Sequence, residues 1–329
     1  MTKLLTPLGM KPAGFLLLFI PLVHLSAQDQ LAPVPVMAAR LASIPAVTGY
    51  EQALVDTLLR LLPPARRDRA GNVVLMLGRG KPRRLVACPL DEPGYVVGNV
   101  REDGYLTLRR VSGRVPPLFD QQLEGNRVTI HGRLGPVPGV VAVRSVHLMR
   151  GREERSDDPF SVDDAYVDVG AETRAEVARL GVALLAPVTL AKRPHAYGDS
   201  LLAAPVAGRR AACAALLTAA RDWLRSGTGA EPAVVAFVVG QEVGQRGIAT
   251  VANTLGPFEE TVILDGEPGP LKLNDPVLDP ESSARWPKLG RVTRQSLATR
   301  YPETAVETVS LAAAQALARA LAPFFGSAP

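Results

Sequence analysis

Between residues 234 and 239 the chain reads VVAFVV, six apolar positions with no three- or four-residue period. A short run rich in β-branched types predicts a strand buried on both faces of a parallel sheet. It stops at Gly240, polar Gln241 and Glu242 follow, and residues 247–255 predict a helix closed by Gly256. Open α/β sheets hold ligands beyond the carboxyl ends of their strands, which makes Glu242 a candidate functional residue. Residues 73–77, 84–88 and 261–264 are further apolar runs of strand length. The second leads into Pro89-Leu90-Asp91-Glu92 and the third into Asp265.

The texture changes at Tyr95. Residues 105–108, 127–131 and 137–143 alternate apolar and polar positions between Asp-Gly, Glu-Gly-Asn and Gly-Pro turns, with no helical period before Glu172. This pattern predicts an all-β module, a small barrel over residues 94–190, inserted at a strand end. Beyond it, residues 207–225 predict a long Ala-rich helix closed by Gly227. Thr48 with Glu51 reads as the capping box of a helix through Leu62, and Thr304 with Glu307 as that of an amphipathic final helix through Leu321. The expected fold is α/β: a three-layer αβα domain with a mostly parallel central sheet, built from residues 28–93 and 191–329 and interrupted by the barrel.

Lys3 and Lys11, the apolar residues 15–23, the small Ser26-Ala27 and polar Gln28 describe a signal peptide over residues 1–27. The apolar run is too short for a stable membrane span. A secreted or periplasmic location follows. With 47% apolar and 21% charged residues the composition is globular, and a net charge of +5 spread over scattered arginines argues against nucleic-acid binding. Arg66, Arg67, Arg69, Arg83, Arg84, Arg109 and Arg110 read as solvated surface. Cys88 and Cys213 read as inert core thiols, and export permits a disulfide without the spacing signalling one.

Asp91, Glu242 and Asp265 thus fall at three strand ends. Singly each reads as a loop carboxylate; together they predict a site. His131 and His147 fall in the β module, and His195 with Asp199 is the pair placed to be inspected for metal. Cys88 or Ser200 as a nucleophile would need a histidine close by in the fold, and neither has sequence support for that role.

In this order, GNVV at Gly71, LDEPGYVVGNVREDGYLTL at Leu90, YVDVGAETRAEVARLGV at Tyr166, QEVGQRG at Gln241, VILD at Val262 and RYPETAVE at Arg300 resemble the tetrahedral, glutamyl-type aminopeptidases. The resemblance implies a two-zinc exopeptidase fold carrying an inserted β-barrel that serves assembly. It also implies a set of site positions. Pro89 stands where the family has a zinc-binding histidine, and Asp91 where it has the aspartate that orients it. Ala204 stands in place of the bridging aspartate and Gln241 in place of the general base. Glu242 and Asp265 match metal ligands, and Glu303 replaces the last histidine.

Proline and alanine side chains offer no donor to zinc, and the Gln241 amide cannot accept the proton of a metal-activated water. The resulting expectation is an exported pseudo-peptidase in which no cofactor is bound and Glu242 and Asp265 are vestigial ligands. Its partners would be a peptide, a second copy met through residues 94–190, or an active relative. The alternative is an active aminopeptidase that uses Asp91, Glu242, Asp265 and Glu303 as an oxygen-rich site for a hard divalent ion.

Overall fold

A computed structural model describes residues 33–112, 115–143, 159–191, 193–226, 232–270, 277–280, 287–322 and 324. The signal-peptide region, His147 and Gly227 lie outside them. In chain order the elements begin with helices α1 (Val34–Ala42) and α2 (Gln52–Leu61) and strands β1 (Arg66–Arg67), β2 (Val73–Leu77) and β3 (Arg84–Pro89). Strands β4 (Tyr95–Val100), β5 (Leu106–Arg110), β6 (Arg127–Gly132), β7 (Gly135–Val141) and β8 (Tyr166–Asp168) come next, then α3 (Arg174–Arg179) and β9 (Pro187–Leu190). The chain continues with β10 (His195–Tyr197), β11 (Leu201–Ala203), α4 (Ala207–Ser226), β12 (Ala233–Val238), α5 (Arg246–Leu255) and β13 (Glu260–Pro268). Last come β14 (Val277–Pro280), β15 (Arg291–Arg300), β16 (Thr308–Ser310) and α6 (Leu311–Leu321).

The main sheet runs β1-β2-β12-β3-β13-β15-β16-β11-β10, with β14 on β15. Pairing is parallel from β12 through β3 and β13 to β15 and antiparallel elsewhere in this sheet, so it is mixed, with a parallel centre. Loop length explains the difference from a mostly parallel sheet. The short link between β2 and β3 leaves no room for a crossover helix, and β2 must run against β3. Every residue of β12 is buried, as its unbroken apolar run predicts. Val234, Ala236 and Val238 face Ile248 and Val251 of α5. On the other face α4 packs over β13 and β15 and against α1 and α6.

Strands β4, β5, β8, β7, β6 and β9 close into an antiparallel barrel around Val97, Leu106, Ile130, Val141, Val167 and Val188. Arg110 is not merely solvated: its guanidinium pairs with buried Asp120, which also accepts from the Tyr95 hydroxyl at 3.0 Å.

Neither predicted capping box forms. Helix α2 starts at Gln52, and its N-cap Glu51 makes no side-chain cap; α6 starts at Leu311, capped by Ser310. Tertiary demands have taken the side chains, as described below. The cysteines, expected as free core thiols, are joined: Cys88 on β3 and Cys213 on α4 form a disulfide across 125 residues of sequence. Closing a loop that long is worth about 2–5 kcal/mol through the unfolded chain. The double variant Cys88→Ala/Cys213→Ala is therefore expected to lose that much stability in urea unfolding, with the wild type under reductant behaving likewise.

Candidate functional site

Three parallel strands end at one edge, and the residues just past them meet there. Asp91 follows β3, Glu242 follows β12, and Asp265 lies within the longer β13. Asp91 is fully buried and spends its carboxylate on local geometry. It accepts the backbone N–H groups of Gln241 and Glu242 and the Thr48 hydroxyl, each at 2.9 Å. Thr48 is thereby taken from the capping role. Glu51, the other half of that box, accepts the Gly240 N–H at 3.0 Å and so also fastens the end of β12.

At the centre of the edge is a residue that sequence reasoning passed over. Arg209, in the first turn of α4, donates from Nε and Nη2 to the two oxygens of Asp265 at 2.9 and 3.2 Å. Its Nη1 donates to Glu242 at 3.0 Å and to the Asp91 carbonyl. Its side chain is 13% exposed, against 19% for Glu242 and 7% for Asp265. Burial works against the guanidinium charge, but Asp265, and behind it Asp91 and Glu242, outweigh burial and hold Arg209 well above its ordinary value. Burial pushes Glu242 up, and Arg209 pulls it back. Next along the helix, Arg210 is completely buried and reaches the Leu90 carbonyl and, at 3.4 Å, Glu92. The available signal was two consecutive arginines in the first turn of an otherwise Ala-rich helix.

Glu303 and Glu307 complete the cleft around Arg209, Glu242, Asp265 and Val206. Glu307 is buried and accepts the Gly208 N–H at the start of α4 and the Glu303 N–H, both at 2.9 Å. It caps α4 and not the final helix. A Cβ at Gly208 would lie 2.5 Å from Thr299 and 2.8 Å from Gly266, so only glycine lets α4 approach β13 this closely. Val206 and Glu303 both hold positive φ, 48° and 57°. That conformation costs on the order of 1–3 kcal/mol for such residues and clusters at functional sites. Glu303 Oε2 is buried without a hydrogen-bond partner. Burial, and then the charge of Glu242, raise its pKa.

The other predicted positions fall as follows. Pro89 ends β3 with only its carbonyl available, 3.2 Å from Cys213 Sγ. Ala204 follows β11, buried, with its N–H on the Glu307 carbonyl at 2.9 Å; the residue that α4 presents to the carboxylates is Arg209. His131 lies in the barrel against Thr189 at 3.0 Å. His195 stacks on Tyr197 at the β10 edge and Asp199 lies in the turn beyond, both exposed. Among the described residues, no group of three or more His, Cys, Asp or Glu is placed to hold a metal ion. The cleft adjoins an apolar crevice between barrel and sheet, lined by Tyr95, Phe119, Val188 and Leu190, with Glu303 shared by both.

Two measurements follow from this geometry. Asp91→Ala would strand buried N–H groups of Gln241 and Glu242, at about 1–3 kcal/mol each, and is expected to lower urea-unfolding stability by at least one such increment. Glu303 has a raised pKa in the folded state, so its contribution is present below its ordinary value of 4.5 and is lost as pH rises through the raised one. Glu303→Gln removes that loss. Its Tm relative to the wild type is expected to climb as pH rises from about 4.5, and a flat difference would refute the assignment.

A model of the M42 glutamyl aminopeptidase family matches residues 71–268. SgcX of Escherichia coli K12 is 34% identical over 179 residues, 52% of this chain and 46% of SgcX. The lysyl aminopeptidase of Pyrococcus furiosus is 27% identical over 220 residues, 65% of this chain and 61% of that protein. The chain thus spans about half to three-fifths of these curated relatives. Among solved structures, the Pyrococcus horikoshii TET1 peptidase, which can assemble into a tetrahedron or a large octahedral shell, superposes with a TM-score of 0.78 at 20% identity, covering 89% of this chain and 99% of that one. The likeness shows the fold.

Proposed function

The chain belongs to the M42 glutamyl aminopeptidase family, and we propose that it is an exported, non-catalytic member whose cleft serves peptide binding or assembly. One observation carries this reading: the Arg209 guanidinium bonded to both Glu242 and Asp265. A two-zinc site needs about three protein ligands per metal, with a carboxylate bridging the pair. Here the carboxylates that match metal ligands are turned onto a fixed cation. A divalent ion about 4 Å from that guanidinium would meet roughly 8 kcal/mol of repulsion at an effective dielectric of about 20.

The remaining donors do not repair the deficit. Pro89 and Ala204 have no donor side chain, the Asp91 oxygens are held by Gln241, Glu242 and Thr48, and His131 and His195 stand on other elements. These residues do not fit two zinc ions, and the donor set offers no route to metal-assisted hydrolysis. Gln241, at the position the resemblance assigns to the general base, carries an amide that cannot take up a proton. The same bonds weigh against the oxygen-rich site of Asp91, Glu242, Asp265 and Glu303, because its members are already engaged or face Arg209.

Export is supported by the signal-like residues 1–27 and by the Cys88–Cys213 disulfide, a bond that persists in oxidising compartments. Among the described residues no helix is long and apolar enough to cross a membrane. Peptide binding is supported by the apolar crevice adjoining the cleft, where an extended chain could lay side chains between barrel and sheet. Assembly through residues 94–190, with a second copy or an active relative, is supported by the closed barrel and by the shells that the P. horikoshii structure forms.

Metal analysis of the purified mature protein, alongside hydrolysis of aminoacyl-nitroanilides with added Zn²⁺, Mn²⁺ or Co²⁺, tests the reading. Substoichiometric metal and no metal-dependent turnover are expected. Stoichiometric metal with turnover lost in Glu242→Ala would overturn it in favour of an active enzyme.

A further inference from the structure

A groove of about 820 Å³ lies where the barrel meets the start of α2, and it shares no lining residue with the strand-edge cleft or the apolar crevice. Tyr50 and Ala53 line it from the α/β domain; Arg133, in the β6–β7 turn, and Leu184 and Leu185, ahead of β9, line it from the barrel. We propose that this groove docks an extended polypeptide segment of another protein, one that carries apolar side chains and an acidic residue. The inference does not depend on whether the strand-edge cleft is catalytic.

The leucines are the first observation. Leu184 and Leu185 are each 61% exposed, and Leu134, set against Gly181 at the groove's edge, is 79% exposed. A single exposed leucine is ordinary, but three around one groove make a patch. Leu185 is also held at a φ of 64°, which leucine rarely adopts. Its backbone is pinned there. The Leu185 N–H donates to the Val97 carbonyl at 2.9 Å, its carbonyl accepts the Tyr50 hydroxyl at 2.8 Å, and the Ala186 N–H closes the turn on the Ala183 carbonyl at 3.1 Å. Asparagine or glycine would make the same bonds, tolerate this φ and expose less apolar surface. The pinned backbone presents the leucine rigidly, which suits a partner because little ordering is left to lose on binding.

Charge decides what that partner carries. Asp56, the one carboxylate on the lining, is engaged by Arg67 and, at 2.8 Å, by Gln52. Arg133 is exposed and pairs with no carboxylate among the described residues. The groove thus offers a cation without a counter-charge and an anion that already has one, which favours an acidic occupant. A small anion would satisfy Arg133 and leave the leucines in water. An extended segment covers both, with its apolar side chains laid between the two walls.

The test pans a random dodecapeptide library displayed on phage against the full mature chain, and titrates the synthesised consensus peptide by fluorescence anisotropy. The expected consensus combines leucine-like side chains with Asp or Glu. Leu184→Ser/Leu185→Asn and, separately, Arg133→Glu are each expected to weaken that peptide by roughly tenfold or more. The Tm of Leu185→Asn is expected to equal or exceed that of the wild type. No enrichment, a consensus without an acid, or affinity unchanged in these variants overturns the proposal. So does a fall in Tm for Leu185→Asn, which would give the leucine a role in folding. Light scattering and co-sedimentation with phosphatidylglycerol vesicles address the other occupants: self-association or vesicle binding lost in the leucine variant overturns the proposal in favour of a second copy or a membrane. A peptide lost in Glu242→Ala but retained by the leucine variant is held by the strand-edge cleft, which supports that reading and overturns this one.

Discussion

Parallel strands that end at one edge bring their terminal residues together whether or not those residues attract. Here that edge gathers Asp91, Glu242 and Asp265, with Glu303 and Glu307 close by, and the concentration of like charge is the constraint to which the local structure answers. Arg209 answers most of it. A buried ion pair is stabilising only when its remaining polar atoms are also bonded. Arg209 meets that condition with a two-point contact to Asp265 and contacts to Glu242 and a carbonyl. The guanidinium fork suits the task because it is planar, always charged and can satisfy several acceptors at once.

This network reassigns residues whose local roles look plain. Thr48 and Glu51, spaced for a capping box, hold Asp91 and Gly240. Glu307, spaced for another, bonds Gly208 at the start of a helix about a hundred residues earlier in the chain. Orphan N–H groups at buried strand and helix ends carry a larger penalty than an exposed cap that goes unmade, so the longer-range bonds prevail. Positive φ at Val206 and Glu303 belongs to the same accommodation: the backbone bends out of its preferred region where the cleft is built.

Legibility differed by element for physical reasons. The strand at residues 234–239, its neighbours and the barrel could be read because burial on one or two faces imposes a period on the residues themselves. The three acidic strand ends could be read because strand polarity alone places them. The mixed character of the sheet followed from a loop length that the apolar pattern does not weigh. The disulfide was undecided because pairing depends on whether Cys88 and Cys213 come within 5.6 Å between Cα atoms, which only the packing of α4 on β3 settles.

The amino-acid sequence by itself determined the order of strands and helices, the inserted barrel, the family and the residues standing at the site positions. Those depend on residue type and spacing along the chain. The tertiary structure decided which charge stands among the carboxylates. Arg209 lies 33 residues before Glu242, 56 before Asp265 and 118 after Asp91. No local period links those positions, and their meeting depends on the approach of α4 to β13 that Gly208 and Gly266 allow.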